Sequence, residues 1–185
     1  YIELLSPILK KKKNRRIISI SLRESKDKEN TSTYDKFRNS NLKIWLDVAD
    51  WIKDVLNFTP IIIPDITQLD LDERDFRGHE ICKIASTDLK MRIALYQSSY
   101  LNLTISAGFS ELLYHSEYSF LSFKFGDNRI KEGPNSIKMN ENTYGIKQNE
   151  QLPFLNKRQK IFWGENTEEL NFIKKEIQLF LEDHL

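Results

Sequence analysis

Apolar residues follow two rhythms along the chain. Residues 16–22, Arg-Ile-Ile-Ser-Ile-Ser-Leu, are β-branched and largely apolar, as a strand covered on both faces should be. Leu42, Trp45, Val48, Ala49, Ile52, Val55 and Leu56 then recur at helical spacing, with Ser40 or Asn41 where an N-cap is needed. Residues 59–63 form a second strand, closed by Pro64-Asp65. Ser86 or Thr87 opens a second helix through Leu89, Ile93, Tyr96 and Tyr100. Residues 101–105 are a third strand, followed by a short helix from about 110 to 116. Residues 118–125 are a fourth, aromatic-rich strand, and residues 160–163 a fifth. Asn166 with Glu169 caps a closing helix that presents Leu170, Ile173, Ile177, Phe180 and Leu181 on one face.

Strand alternating with helix implies an α/β, Rossmann-like domain: a mostly parallel sheet, right-handed crossovers and helices on both faces. Residues 1–15 read as a connector and 16–185 as the domain. Aperiodic stretches lie at 23–41, 66–80 and 126–158, the last an irregular excursion. Residues 81–85 fit a short strand or a short helix equally.

Charge and composition narrow the function classes. The 185 residues carry 28 Lys+Arg against 27 Asp+Glu, a balance unsuited to coating nucleic acid or an anionic membrane. No apolar run approaches the roughly 20 residues that span a bilayer. Leu4, Leu5, Ile8 and Leu9 run into four lysines rather than a signal-peptide core, so a cytoplasmic setting is expected. A lone Cys82 excludes an internal disulfide framework and a cysteine zinc site. The start at Tyr1 rather than Met raises the expectation of a piece of a longer protein. Ile, Lys and Asn make up 54 residues, the imprint of AT-rich coding, so single Lys or Asn residues carry little information. Arginine is scarce at nine, and an Arg in a telling place counts for more.

In open α/β sheets ligands sit beyond the carboxyl ends of the strands, where the strand order reverses. That rule nominates the residues just after each strand. Ser106-Ala107-Gly108-Phe109-Ser110 has two readings. Gly108 can take a left-handed conformation and admit a ligand to the backbone, with the following helix N-terminus favouring an anion; or the segment is a tight turn capped by Ser110. Arg23 ends the first strand and Arg38 precedes the first helix, so both guanidiniums can converge on phosphate oxygens. Asp65 suits a ribose hydroxyl, or a Pro-Asp turn. Weaker patterns remain. Asp70 and Asp72 have the spacing of a metal-bound nucleotide site. Asp65, Asp88 and Lys90 spell a Mg²⁺-dependent nuclease pattern. Asp88 and Arg92 stand four apart as an ordinary helix pair. His79-Glu80 lacks a second histidine for a zincin motif.

Three segments together resemble a known family. They are residues 18–24 with Arg38-Asn39-Ser40-Asn41 and the Trp45 helix; Ile61-Ile62-Ile63-Pro64-Asp65; and residues 88–96 running through Leu101-Asn102-Leu103 into Ser106-Ala107-Gly108 and the strand 118–125. The set is similar to the C-terminal, donor-binding domain of bacterial GT-B type glycosyltransferase-like proteins, related in fold to fucosyltransferases and heptosyltransferases. Phe109 departs from the family's usual proline after the glycine. The resemblance implies one half of a GT-B fold that holds a nucleotide-diphosphate sugar without an essential metal or other cofactor. Arg23 and Arg38 would neutralise the diphosphate. Ser106, Gly108, Phe109 and Ser110 would form the turn against it, and Asp65 would touch the nucleoside. The acceptor, a glycan or another molecule, and any general base belong to an N-terminal partner domain outside this chain, so no catalytic residue is named. A non-catalytic Rossmann-like interaction module is the remaining alternative.

Overall fold

A computed structural model describes residues 16–25, 38–133 and 135–185. The expected connector, residues 1–15, and residues 26–37 of the first long loop lie outside the described residues. Six strands form one sheet: β1 (Ile17–Ser21), β2 (Thr59–Ile63), β3 (Glu80–Ile81), β4 (Leu101–Ile105), β5 (Phe120–Phe125) and β6 (Gln159–Trp163). Every pairing is parallel, and the order is β3-β2-β1-β4-β5-β6. This is the doubly wound Rossmann arrangement, with its reversal between β1 and β4.

The helices are α1 (Leu42–Asp54), α2 (Ile84–Thr87), α3 (Leu89–Ser98), α4 (Glu111–Tyr114), α5 (Ile137–Tyr144) and α6 (Leu170–His184). On one face α1 and α6 pack Trp45, Ile52, Ile173 and Ile177 against Ile18, Ile20, Leu103 and Phe123. On the other, α2 to α5 cover Ile17, Ile61, Ile63, Phe120 and Phe125. Two covered faces explain why the strands read as unbroken apolar runs.

The second face also carries polar residues, each with a partner. Ser19 donates to Asn102 Oδ1 at 2.6 Å, Ser21 shares a 2.8 Å hydrogen bond with the Tyr96 hydroxyl, and Tyr114 shares one of 2.8 Å with Ser122.

Local details depart from the sequence expectations for physical reasons. The 81–85 segment is both things: β3 adds a sixth, edge strand and α2 follows it. The cap of α3 is Asp88, whose carboxylate accepts from Lys90 N and Met91 N, not Ser86 or Thr87. Glu169 precedes α6 without a side-chain capping bond. The 126–158 excursion contains α5, opened by the Ser136 hydroxyl and closed by Gly145 in the left-handed region.

In β5 the register against β6 slips between Ser122 and Phe125, and Lys124 sits at φ 56°. This bulge lets Phe123 face α1 while Phe125, two residues on, faces the opposite core. The extra residue also buries the Lys124 side chain. Its ammonium donates to Glu168 Oε2 at 2.9 Å and to Asn39 O at 2.7 Å. Glu168 Oε1 accepts from Asn41 N at 2.8 Å and Trp45 Nε1 at 2.7 Å. Both side chains are more than nine-tenths buried.

Two predictions follow from the bulge and this buried pair. Glu168→Gln, which strands the Lys124 charge, lowers the unfolding free energy by about 3 kcal/mol in denaturant titration. Adding Lys124→Met recovers most of the loss. Just beyond the bulge, Gly126 has φ 72°, and an added Cβ would lie 2.7 Å from the Trp163 ring. Gly126→Ala therefore destabilises by about 3 kcal/mol in the same measurement.

Candidate functional site

The strand order puts the ends of β1 and β4 side by side, with Ser21 level with Thr104. Residues 23–25 and 106–108 therefore leave the sheet at the same end, where the crossovers diverge. The first long loop is pinned shut at its base. Arg23 N donates to Ser40 Oγ at 2.9 Å, Ser40 N to Arg23 O at 2.8 Å, and Ser25 N to Asn39 Oδ1 at 2.9 Å. Arg23 Nη1 also reaches Asn39 Oδ1, at 3.2 Å. These bonds hold Arg23 and Arg38 on the same side of the reversal.

Beside them opens a cleft of about 690 Å³, bounded by Arg38, Ser106, Gly108 and Glu111 on one side and by the excursion on the other. Asn135 fastens the two sides: its Nδ2 donates to Ser106 O at 2.8 Å and its Oδ1 accepts from Ser106 Oγ at 3.3 Å. Tyr144 donates to Glu111 Oε1 at 2.7 Å. Burial, with the neighbouring Glu111 carboxylate, pushes the Tyr144 phenol well above its ordinary pKa, so it stays a proton donor at neutral pH. At the rim the His115 ring stacks on Phe154, with centroids 5.2 Å apart. Asn140 is buried in the wall, and its Nδ2 has no hydrogen-bond partner among the described residues.

The nominated residues thus divide. Arg38, Ser106 and Gly108 line the cleft, and Arg23 is tied to Asn39 next door. Asp65 faces a different task. Its carboxylate caps the turn of residues 66–68, accepting from Thr67 N at 3.0 Å and Thr67 Oγ1 at 3.2 Å. That is the Pro-Asp turn rather than an open hydroxyl acceptor. Ser110 is fully buried, with its hydroxyl donating to Ala107 O and accepting from Ala107 N at 3.0 Å. Its hydroxyl stabilises the turn. Phe109 turns its ring onto the Arg92 guanidinium, 4.7 Å from the centroid.

Gly108 does not adopt the left-handed conformation expected of it. It begins a tight helical turn, and α4 behind it is a single turn, so no long helix dipole aims at the site. What Gly108 supplies is room, since an added Cβ would meet nothing within 4 Å.

The weaker motifs resolve into local structure. Asp88 is the α3 cap and does not pair with Arg92. Asp72 is locked to Arg74, which holds its carboxyl below the usual range. His79 is buried against Asp50 at 2.8 Å. Cys82 is a core residue whose thiol is pushed up by burial. Among the described residues no group of three or more His, Cys, Asp or Glu could hold a metal ion, and no helix is long and apolar enough to cross a membrane.

The wall of the cleft escaped the sequence reading. Glu111 lay at the edge of the nominated loop, but Asn135, Asn140, Tyr144 and Phe154 sit in the aperiodic excursion. A usable signal existed in Ser136 and Gly145, which bracket eight residues as an N-cap and a left-handed C-cap do.

With this geometry in view, comparison with solved structures is informative at the level of fold. The chain is similar to the wall teichoic acid polymerase TagF, with a TM-score of 0.51 and 14% identity over 99% of this chain. The fold is that of a GT-B half-domain. The match covers 41% of the polymerase, so this chain spans well under half of that protein's length. No protein-family model matches the sequence, and no curated protein matches it.

Because Gly108 needs no special backbone, Gly108→Ala keeps its unfolding free energy within about 0.5 kcal/mol of the parent in denaturant titration. A loss several times larger would show that the turn itself depends on glycine.

Proposed function

We propose that this domain is the donor-binding half of a glycosyltransferase, and that it holds a nucleotide-diphosphate sugar at the reversal point of its sheet. One observation carries the reading: Arg38 lines a cleft of about 690 Å³ together with Ser106 and the open turn at Gly108, and Arg23, at the other end of the same pinned loop, is bonded to the neighbouring Asn39. A cleft of that size suits a nucleotide. The fold shared with wall teichoic acid polymerase supports assignment to the same broad class of transferase, while donor base, sugar and acceptor differ widely within such folds.

In this reading the domain contributes electrostatics rather than proton transfer. As the bond from the anomeric carbon to the diphosphate breaks, its electron pair passes to the phosphate oxygen. Arg23 and Arg38 sit where that negative charge develops, and backbone and hydroxyl groups of residues 106–108 complete the cradle. The attacking hydroxyl belongs to an acceptor carried by another part of the protein, which also receives its proton. The donor's diphosphate is neutralised by side chains, without an essential metal. Asp65 and Asp88 are both engaged as caps, which leaves the nuclease reading without a supporting observation.

Titration calorimetry with the diphosphates of uridine, cytidine, guanosine and adenosine tests the proposal. At least one is expected to bind, and Arg38→Ala weakens that binding by about 1.5–3 kcal/mol, the range for a charge-assisted hydrogen bond. Absence of heat with all four would sink the donor-site assignment.

A further inference from the structure

Six Asp, Glu, Lys, Arg and His side chains are buried among the described residues, and five have a partner of opposite sign. Lys124 pairs with Glu168, Asp127 with Arg129, Glu176 with Lys160, and His79 with Asp50. The sixth is Arg92, only 6% exposed. Its Nε donates to Ala85 O at 2.7 Å and its Nη1 to the Tyr96 hydroxyl at 3.2 Å, and the Phe109 ring covers one face of the guanidinium. Among the described residues no carboxylate pairs with it. The carboxylate placed to do so by sequence, Asp88, is turned back onto the backbone of α3.

A guanidinium withdrawn from water without a counter-ion is costly, and proteins seldom leave one so unless something else neutralises it. Its location says what that is. Tyr96, which receives the Nη1 hydrogen bond, is also bonded to Ser21, the last residue of β1. Phe109, which covers the ring face, directly follows Gly108. Arg92 therefore lies beneath the junction of the β1 and β4 ends, reached through one side chain from each.

We propose that Arg92 is a third cation of the diphosphate site, left without a protein counter-ion because the phosphates of the ligand provide one. The inference rests on the donor-site reading and adds to it a charge balance. A diphosphate esterified at both ends carries about −2, matched by Arg23 and Arg38. Once the anomeric carbon–oxygen bond breaks and its electron pair stays on the phosphate, the departing nucleoside diphosphate carries close to −3, because a terminal phosphate has its second pKa near 6. A third fixed cation under the turn favours the products' charge over the reactants', which is the requirement for assisting departure. Phe109 keeps water off one guanidinium face and so preserves the strength of that interaction. On this view phenylalanine after Gly108 is a working part of the turn.

Inorganic pyrophosphate, which needs no matched base, is the probe. In calorimetry Arg92→Met is expected to bind pyrophosphate at least tenfold more weakly than the parent chain. Its melting temperature without ligand should be equal to the parent's or higher, because an unneutralised buried charge has been removed. A purely structural Arg92 gives the reverse pattern, with unchanged affinity and a lowered melting temperature, and overturns the proposal while leaving the donor site standing. If neither pyrophosphate nor any nucleoside diphosphate binds the parent chain, both readings fall. Should Arg92→Met not fold, the parent chain still decides. The Arg92 Nε–H resonance, assigned with Arg92→Lys, shifts on saturation with pyrophosphate if the proposal holds, and stays fixed if it does not.

Discussion

The Glu168 carboxylate joins three parts of the chain that no strand pairing brings together. One oxygen takes the Asn41 amide and the Trp45 indole, which fixes the start of α1; the other takes the Lys124 ammonium, which fixes the bulge at the end of β5. Lys124 in turn holds Asn39 O, one residue from Arg38. The placement of Arg38 against the cleft is therefore set by a buried ion pair on the opposite side of the sheet from α4 and α5. Breaking such a pair exposes the desolvation penalty of the remaining charge. Its four hydrogen bonds, two donated by Lys124 and two more accepted by Glu168 from Asn41 and Trp45, are what make it tolerable in a core.

The same face-by-face economy explains why one face of the sheet is polar. On the α3–α4 face, Ser19, Ser21, Asn102 and Ser122 occupy positions that an ordinary core would fill with Val or Ile, and each finds a side-chain partner. Tyr96 and Tyr114 reach down from the helices to meet them. The result is a hydrogen-bonded layer beneath the turn at residues 106–110, stiff enough to hold the turn in one geometry. A purely apolar layer would pack as well but would supply no direction.

How much of this was legible in the sequence depends on where periodicity survives. Alternation of strand and helix, the reversal rule and the scarcity of arginine placed Arg23, Arg38, Ser106 and Gly108 at the end of the sheet where the strand order reverses. The sequence left the outcome open wherever a short polar side chain had two possible employments. Asp65 and Ser110 read equally as ligand-facing or as turn residues, Asp88 as part of a nuclease pattern or a helix pair, and all three are engaged by nearby backbone. Local hydrogen bonds of Asp and Ser to backbone compete with every longer-range role and cannot be weighed from spacing alone. Lys124 and Glu168 were invisible for a different reason. A lysine within an aromatic strand and a glutamate among acidic neighbours look like solvated charges until a bulge turns one of them inward.

Gly108 and Phe109 show how far a family-like motif constrains its surroundings. A proline after the glycine would fix one backbone angle and leave nothing to lie over α3. Phenylalanine leaves the backbone to be set by the inward hydroxyl of Ser110, and its ring seals the Arg92 guanidinium. The turn thus keeps its shape through a side-chain hydrogen bond rather than a ring constraint. The space gained above Gly108 is bounded by the β5–β6 excursion, through Asn135, Tyr144 and Phe154, and not by the sheet. In the proposed donor site, selectivity would be expected to reside in that excursion, the segment least constrained by the fold, while the proposed cations would stand at the fold's fixed reversal point. Such a division lets one sheet retain a common electrostatic role while the wall changes to suit what is carried.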